Sequence, residues 1–280
     1  MKRYIILLAI ALSALLSTEM KAEGYLTPSD FPAAEKFLPP PPDTTGQRFV
    51  SDWVMYQWGK NYRTGLRANE AITDASLGTI VLCKVFTPAF GMTLSNVKSP
   101  QIFKLINTLR QDVVQATATV KAKYKRKRPF DQFKDFSLIP ANEAAAKTSS
   151  SYVSEYAAVG WAVALVLAEI NIDRQDTILS RGYQFGESRV IAGYDYESDV
   201  ECGRVVGMTT IARLHANDAF MAQLEKAKAE YATMTGISSK VYVPKPSDAD
   251  FYNLQGVKVE ESDIQHGDVY IHDGQKAIKR

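Results

Sequence analysis

Histidine is the residue type that most often serves as a base, nucleophile or metal ligand, and the chain of 280 residues has only three. His215 lies in a predicted helix, and His266 and His272 lie close to the C-terminus. No Cys-x-x-Cys or His-x-x-x-His spacing occurs, so the sequence predicts neither a metal site nor a cofactor. Any chemistry in this chain has to rely on other residue types.

A basic run extends from Lys121 to Arg128 and is followed by Pro129. Lys121 and Arg128 are seven positions apart, about two helical turns, so both side chains can face one pocket. We expect Pro129 to force the chain out of that helix. Taken alone, such a run is more typical of a solvated helix end stabilised by the helix dipole. With 33 basic and 31 acidic side chains, the whole chain does not favour a nucleic-acid partner.

Two further polar groups follow, Val153-Ser154-Glu155-Tyr156 and Ser188-Arg189-x5-Asp195-x3-Asp199. With the basic run they match, apart from substitutions, the patterns Lys-x6-Arg-Pro, Pro-Ser-Gly-His and Ser-Arg-x5-His-x3-Asp. The chain therefore resembles the class A bacterial acid phosphatases. These belong to a larger superfamily with the type 2 phosphatidic acid phosphatases and the vanadium haloperoxidases. The resemblance runs from the proline-rich segment 38–42 to beyond His215.

The resemblance implies an all-α, periplasmic, metal-independent phosphomonoesterase with no cofactor. In that family one histidine attacks phosphorus and a second protonates the leaving group. Lysine and arginine neutralise the phosphoryl oxygens, and an aspartate orients the nucleophile. The implied ligand is a phosphate or a phosphomonoester. Because family members are commonly homo-oligomers, the resemblance also leaves a homo-oligomer open here.

Carried over position by position, the resemblance assigns phosphate-binding roles to five matching residues: Lys121, Arg128, Ser154, Ser188 and Arg189. Asp199 matches the aspartate that orients the nucleophile. Four positions depart from the family pattern: Val153 replaces the proline, Glu155 the glycine, Tyr156 the general acid and Asp195 the nucleophile. Both catalytic histidines are thus absent.

These departures favour a degenerate site. The cations Lys121, Arg128 and Arg189 face Asp195 and Asp199, so the site keeps one positive charge where the family keeps two. If Glu155 also points inward, the sum falls to zero and its side chain occupies space that the family leaves to the ligand. Since Asp195 and Asp199 are one helical turn apart, we expect Arg189 to bridge them.

Several interpretations stay open at this point. The first is a pseudophosphatase, which binds a phosphoryl group or another anion without hydrolysing it. The second is an active phosphomonoester hydrolase that uses Asp195, although aspartate nucleophiles usually work with Mg²⁺ and a tyrosine hydroxyl is a poor acid at neutral pH. A third is an ion-pair network that only stabilises the fold. A fourth is a surface-displayed scaffold whose role lies in its C-terminal tail or in oligomer contacts.

The fold that must position these residues is predicted to be an all-α helical bundle with a short β-rich tail. Apolar residues recur with helical spacing over 48–63, 68–85, 99–124, 152–170, 173–188 and 196–234. The segment from Ala157 to Ala168 is apolar on nearly all sides, which predicts a central, buried helix. Asp173 and Ser198 are expected helix starts, and Gly236 a helix stop.

Both ends of the chain differ from this body. Residues 1–22 have the basic start, the apolar stretch and the small residue before the break that are typical of a cleaved signal peptide. The helical domain is expected to cover 23–237, without a membrane span after cleavage. A tail over 238–280, with Gly turns between alternating segments, predicts strands. It resembles C-terminal tails of secreted proteins of Gram-negative anaerobes, which are related to sorting or surface attachment. A small hairpin packed on the main domain is the alternative.

The expected location is therefore the periplasm, the medium or the cell surface. In such an oxidising compartment Cys83 and Cys202 could form one disulfide, while their apolar helical contexts equally suggest buried free thiols.

Overall fold

The computed structural model describes residues 24–236, 251–253, 257–272 and 275–279. The expected signal peptide at 1–22 lies outside these residues. The chain divides into two compact units between Thr235 and Gly236. The first unit is helical and the second contains short strands, so the predicted all-α fold with a small β-rich tail is confirmed.

In the described residues of the first unit, the regular structure is α-helix together with two short 3₁₀ turns. Its helices are α1 (Ala34–Phe37), α2 (Gln47–Lys60), α3 (Gly65–Thr73), α4 (Thr79–Phe90), α5 (Pro100–Tyr124), α6 (Pro129–Gln132), α7 (Glu143–Ala146), α8 (Glu155–Ile170), α9 (Gln175–Ala192), α10 (Glu197–Leu214) and α11 (Asp218–Thr235). The 3₁₀ turns are Pro140–Asn142 and Ile172–Arg174.

Helix α8 is the centre of the first unit, as its apolar sequence predicts. Its side chains from Ala157 to Ala168 are mostly buried, and it packs against α5, α9 and α10. Ser154 caps its first turn by accepting a hydrogen bond from the amide of Ala157. Gly203 allows α10 to approach this start closely, since a Cβ atom there would lie 2.3 Å from the Ser154 carbonyl oxygen. The beginning of α8 is thereby held beside the beginning of α10.

Two of the predicted helices are wrong because each is interrupted. The helix expected over 196–234 ends at Leu214 and restarts at Asp218, where the side chain of Asn217 accepts a hydrogen bond from the amide of Phe220. The helix expected over 68–85 is broken between Thr73 and Thr79. In both cases the apolar spacing continues across a turn, so periodicity alone does not reveal the break.

The helix that carries the basic run ends where the predicted helix over 99–124 ends, so the second half of the run lies outside it. Helix α5 ends at Tyr124, and Lys125 adopts a left-handed backbone conformation with φ of 46°. Pro129 does not end this helix but occupies the first position of α6. Arg128 therefore stands in an extended link between two helices, rather than two turns along from Lys121.

The second unit contains a four-stranded antiparallel sheet with the strand order β2-β1-β3-β4. Its strands are β1 (Phe251–Tyr252), β2 (Lys258–Val259), β3 (Val269–His272) and β4 (Gln275–Ile278). The register pairs Phe251 with both Val259 and His272, and Val269 with Ile278. The predicted strands are thus present in the described part of the tail.

Both cysteines are free thiols, so of the two alternatives the unbridged one holds. Cys83 is fully buried in the core, and burial raises the pKa of its thiol to about 12. Over the described ranges, no helix is both long and apolar enough to cross a membrane.

Candidate functional site

The three sequence motifs meet at one cavity of about 380 Å³, called here the central pocket. It forms where the end of α5, the link before α6, the start of α8, the end of α9 and the loop before α10 converge. Its lining is Ala75, Lys121, Arg128, Asn142, Ala145, Ala146, Ser149, Glu155, Tyr156, Arg189, Tyr194 and Asp195.

Asp195, at the position of the family nucleophile, is bound by three residues to which the sequence assigns phosphate binding. One carboxylate oxygen accepts a hydrogen bond from Arg128 at 2.6 Å. The other accepts hydrogen bonds from the Ser154 hydroxyl at 2.8 Å and from Nε of Arg189 at 3.1 Å. Asp195 is only 2% exposed. Burial of this carboxyl favours its neutral form, but Arg189, Arg128 and Lys121 outweigh burial, and the pKa of Asp195 lies below its ordinary value.

Arg128 has no N–H group left for a ligand. Besides the bond to Asp195, its guanidinium donates to the carbonyl oxygens of Ala146, Tyr194 and Ser150 and to the hydroxyl of Ser149. A guanidinium has five N–H donors, and these five contacts use all of them. A phosphoryl group would therefore have to displace protein acceptors.

Lys121 and Arg189 keep some donor capacity. The Lys121 ammonium donates to the carbonyl oxygens of Ser150 and Val153 at 2.7 and 3.1 Å, which leaves one of its three hydrogens. Burial lowers the pKa of Lys121, against the opposing effect of Asp195. The Arg189 guanidinium lies over the rings of Tyr156 and Tyr194, 4.0 and 4.7 Å from the centroids. In the described part of the chain, its only hydrogen bond is the one from Nε to Asp195.

Glu155 and Tyr156 form the wall of the pocket at the start of α8. Both side chains are half-buried and line the cavity. Glu155 acts electrostatically on Lys121, but no described residue forms an ion pair with it. The glutamate thus adds a negative charge, not held in a direct ion pair with any described residue, at the position where the family has a glycine.

The expectation that Arg189 bridges Asp195 and Asp199 is wrong. Asp199 instead pairs with Arg126, whose NH1 lies 2.5 Å from its carboxylate and whose NH2 lies 2.6 Å from Asp52. Helix α10 begins only at Glu197, so Asp195 precedes the helix and does not share a face with Asp199. The second oxygen of Asp199 accepts the amide of Tyr196 and caps the helix.

Ser188 lies away from the central pocket. Its hydroxyl donates to Asp74 at 2.6 Å and accepts from Arg67 at 2.9 Å, within a buried network that also contains Arg181. The structure therefore gives Ser188 a position between α9 and α3 rather than one facing a ligand. His215 is also outside the pocket lining. Its ring forms a hydrogen bond with the Glu169 carboxylate at 3.0 Å.

The charges of the site sum to zero because Glu155 lines the pocket, and the unforeseen pair of Arg126 and Asp52 leaves that sum unchanged. Lys121, Arg126, Arg128 and Arg189 are opposed by four carboxylates, those of Asp52, Glu155, Asp195 and Asp199. A phosphate dianion needs an excess of positive charge that this arrangement does not provide. Within the described residues, no group of three or more His, Cys, Asp or Glu side chains could hold a metal ion.

The carboxyl of Asp199 predicts a measurable pH dependence. Burial, only partly offset by Arg126, raises its pKa to about 6, above the ordinary value of 3.8. The folded state then keeps a proton that the unfolded chain loses, so this group stabilises the fold below pH 3.8 and the benefit disappears as the pH rises through 6.

We therefore expect the free energy of unfolding of the wild type to fall between pH 4 and 7, relative to Asp199→Asn, by about 2–3 kcal/mol. Urea unfolding at several pH values measures this difference. Parallel pH profiles of the two proteins would contradict the raised pKa.

The helical scaffold and the convergence of the three motifs define an acid-phosphatase-like protein, and comparison with known proteins agrees. The non-specific acid phosphatase of Providencia stuartii is 39% identical over 211 residues, covering 75% of this chain and 85% of that enzyme. The non-specific acid phosphatase of Salmonella typhimurium is 30% identical over 244 residues, 87% of this chain and 98% of the relative. An acid phosphatase of Zymomonas mobilis is 29% identical over 194 residues, 69% of this chain and 74% of the relative. No family model matches the sequence.

The chain belongs to the family of bacterial class A non-specific acid phosphatases.

Proposed function

We propose that this protein is a pseudophosphatase, a family member that binds an anionic ligand without hydrolysing a phosphomonoester. The observation that carries the proposal is the bonding of Asp195 to Arg128, Arg189 and Ser154. An internal carboxylate thus uses the donors that would otherwise hold a phosphoryl group. With Tyr156 at the position of the general acid, the leaving group also lacks its usual proton source.

The same contacts argue against Asp195 as a nucleophile. Both of its oxygens are engaged by cations or by a hydroxyl, and its pKa is lowered, which reduces the electron density available for attack. A hydrolase of this kind would have to break two buried ion pairs before each turnover. The alternative of rewired hydrolysis through Asp195 is for this reason the weaker proposal.

Hydrolysis of p-nitrophenyl phosphate from pH 4 to 9 tests the proposal. We expect no turnover above background for the wild type. Robust turnover that disappears in Arg189→Ala would refute the proposal, because the activity would then belong to the central pocket. Where turnover is seen, loss in Asp195→Ala would support the rewired hydrolase, and survival would reject it.

We further propose an extracytoplasmic location, supported by the signal-peptide pattern over 1–22. A mature N-terminus near Glu23, found by sequencing the periplasmic or surface fraction, is the expected result. Deletion from Ser238 onward tests whether the tail takes part in sorting. Unchanged localisation of the truncated protein would count against that role.

A further inference from the structure

A second cavity lies directly beside the central pocket and contains most of the remaining basic run. This basic recess has a volume of about 540 Å³. Lys121, Arg128 and Ser149 line both cavities and separate them. The full lining of the basic recess is Lys121, Ala122, Lys125, Arg126, Lys127, Arg128, Asp131, Lys147, Thr148, Ser149 and Ser150.

Three cations of the basic recess, Lys125, Lys127 and Lys147, are less engaged by the protein than those of the central pocket. Lys125 and Lys127 are exposed, and neither forms a hydrogen bond or an ion pair through its side chain with any described residue. Lys147 is 3.8 Å from Asp131, the single carboxylate of the lining, which also lies 3.4 Å from Lys134. The excess positive charge that the central pocket lacks is therefore concentrated in the adjoining basic recess.

The dipole of α5 does not explain this concentration. A helix C-terminus favours cations in its last turn, and Lys121 and Lys123 satisfy that preference. Lys127 lies beyond the end of the helix, and Lys147 comes from the segment that follows α7. The ammonium groups of Lys127 and Lys147 thus come from separate segments to the same recess, where they repel each other. An anion between them would relieve that repulsion.

We propose that the basic recess is an anion site for a compact oligophosphate, with Lys125, Lys127 and Lys147 as its counter-charges. Several lysines around one cavity suit a ligand with several phosphate groups better than a single phosphate, since each ammonium can neutralise a different oxygen. The hydroxyls of Thr148 and Ser149 already donate to the carbonyl oxygens of Ala145 and Ala146, so the lysine ammonium groups are the donors left for the anion. This proposal rests on the proposed function, because it assumes that the ligand is not hydrolysed. It adds to that function the site of binding and the chemical class of the ligand.

Isothermal titration of the full-length mature protein with sodium tripolyphosphate tests the site. The double variant Lys125→Ala, Lys127→Ala is expected to bind about tenfold more weakly than the wild type. The matched control is Lys98→Ala, Lys104→Ala, which removes the same charge from two exposed lysines outside the basic recess and should stay within about twofold. Circular dichroism of both variants confirms that they fold.

Three results would overturn the proposal: no binding to the wild type, equal affinity in both double variants, or binding that is lost only in Arg189→Ala. The last would place tripolyphosphate in the central pocket. Phosphate release measured in the same samples separates this inference from the proposed function. Release that depends on Arg189 refutes the pseudophosphatase, whereas lysine-independent binding without release refutes only the basic recess.

Discussion

Replacement of Asp195 by asparagine is expected to lower the free energy of unfolding by about 3–5 kcal/mol at pH 7. Asparagine preserves the volume of the side chain but removes the charge that Arg128 and Arg189 share. Two buried guanidinium groups are then left without a counter-ion, and the cost of burying an uncompensated charge is large. Chemical unfolding in urea, followed by circular dichroism, measures the loss.

Asp131→Asn is the matched control for this substitution. Asp131 also faces two cations, Lys134 and Lys147, but at 3.4 and 3.8 Å and with both lysines well exposed. Such pairs contribute at most about 1 kcal/mol, so the control should unfold almost like the wild type. If Asp195→Asn were as stable as Asp131→Asn, the ion pairs of the central pocket would not be the structural feature that we describe.

The second large effect is a gain of phosphatase activity on restoring the family motif. The variant combines Val153→Pro, Glu155→Gly, Tyr156→His and Asp195→His. It returns a nucleophile and a general acid to the pocket and removes two carboxylates from it, so the cations regain the excess that a phosphate dianion needs. We expect hydrolysis of p-nitrophenyl phosphate at least about 10²-fold above the wild type, the lower end of what a general acid alone contributes.

The control for this gain is the triple variant that retains Asp195. It should remain inactive, because Asp195 still bonds Arg128, Arg189 and Ser154. A folded but inactive quadruple variant would show that the pocket differs from an active one by more than its four motif positions. Activity in the triple variant would instead show that the nucleophile need not be histidine.

Much of the central pocket could be predicted because the resemblance to the acid phosphatases assigns its residues motif by motif. Lys121, Arg128, Tyr156, Arg189 and Asp195 all line the central pocket, and they come from three short segments. The central position of α8 followed from its apolar composition, since a helix without a polar face must be surrounded by others.

What the sequence did not reveal depends on contacts between distant segments. Arg126 looks like one of several surface cations in the basic run, and Asp52 lies 74 residues before it on α2. Only the fold brings them together with Asp199. Tyr194 was missed as well, although it supplies a carbonyl to Arg128 and a ring beneath Arg189. Its place directly before Asp195 in the third motif was a signal that could have identified Tyr194.

The wrong bridge through Arg189 has a related cause. Spacing by four residues places two side chains on one face only if the helix already includes both, and α10 starts after Asp195. In the same way Ser188 carries the motif but faces Asp74, because helix α9 turns it toward α3. Motif spacing identifies the residues of a motif, but the residue at which the helix starts determines the direction of each side chain.

The central claim is that the carboxylate of Asp195 fills the place of a phosphoryl group, and a phosphate titration tests it most directly. Isothermal titration with inorganic phosphate at fixed ionic strength should give weak or no binding to the central pocket of the wild type. In Asp195→Asn, the negative charge that neutralises Arg128 and Arg189 is removed, so both guanidinium groups attract phosphate more strongly, and the affinity should rise by at least about tenfold. Equal affinity in the two proteins, or tighter binding by the wild type, would contradict the account.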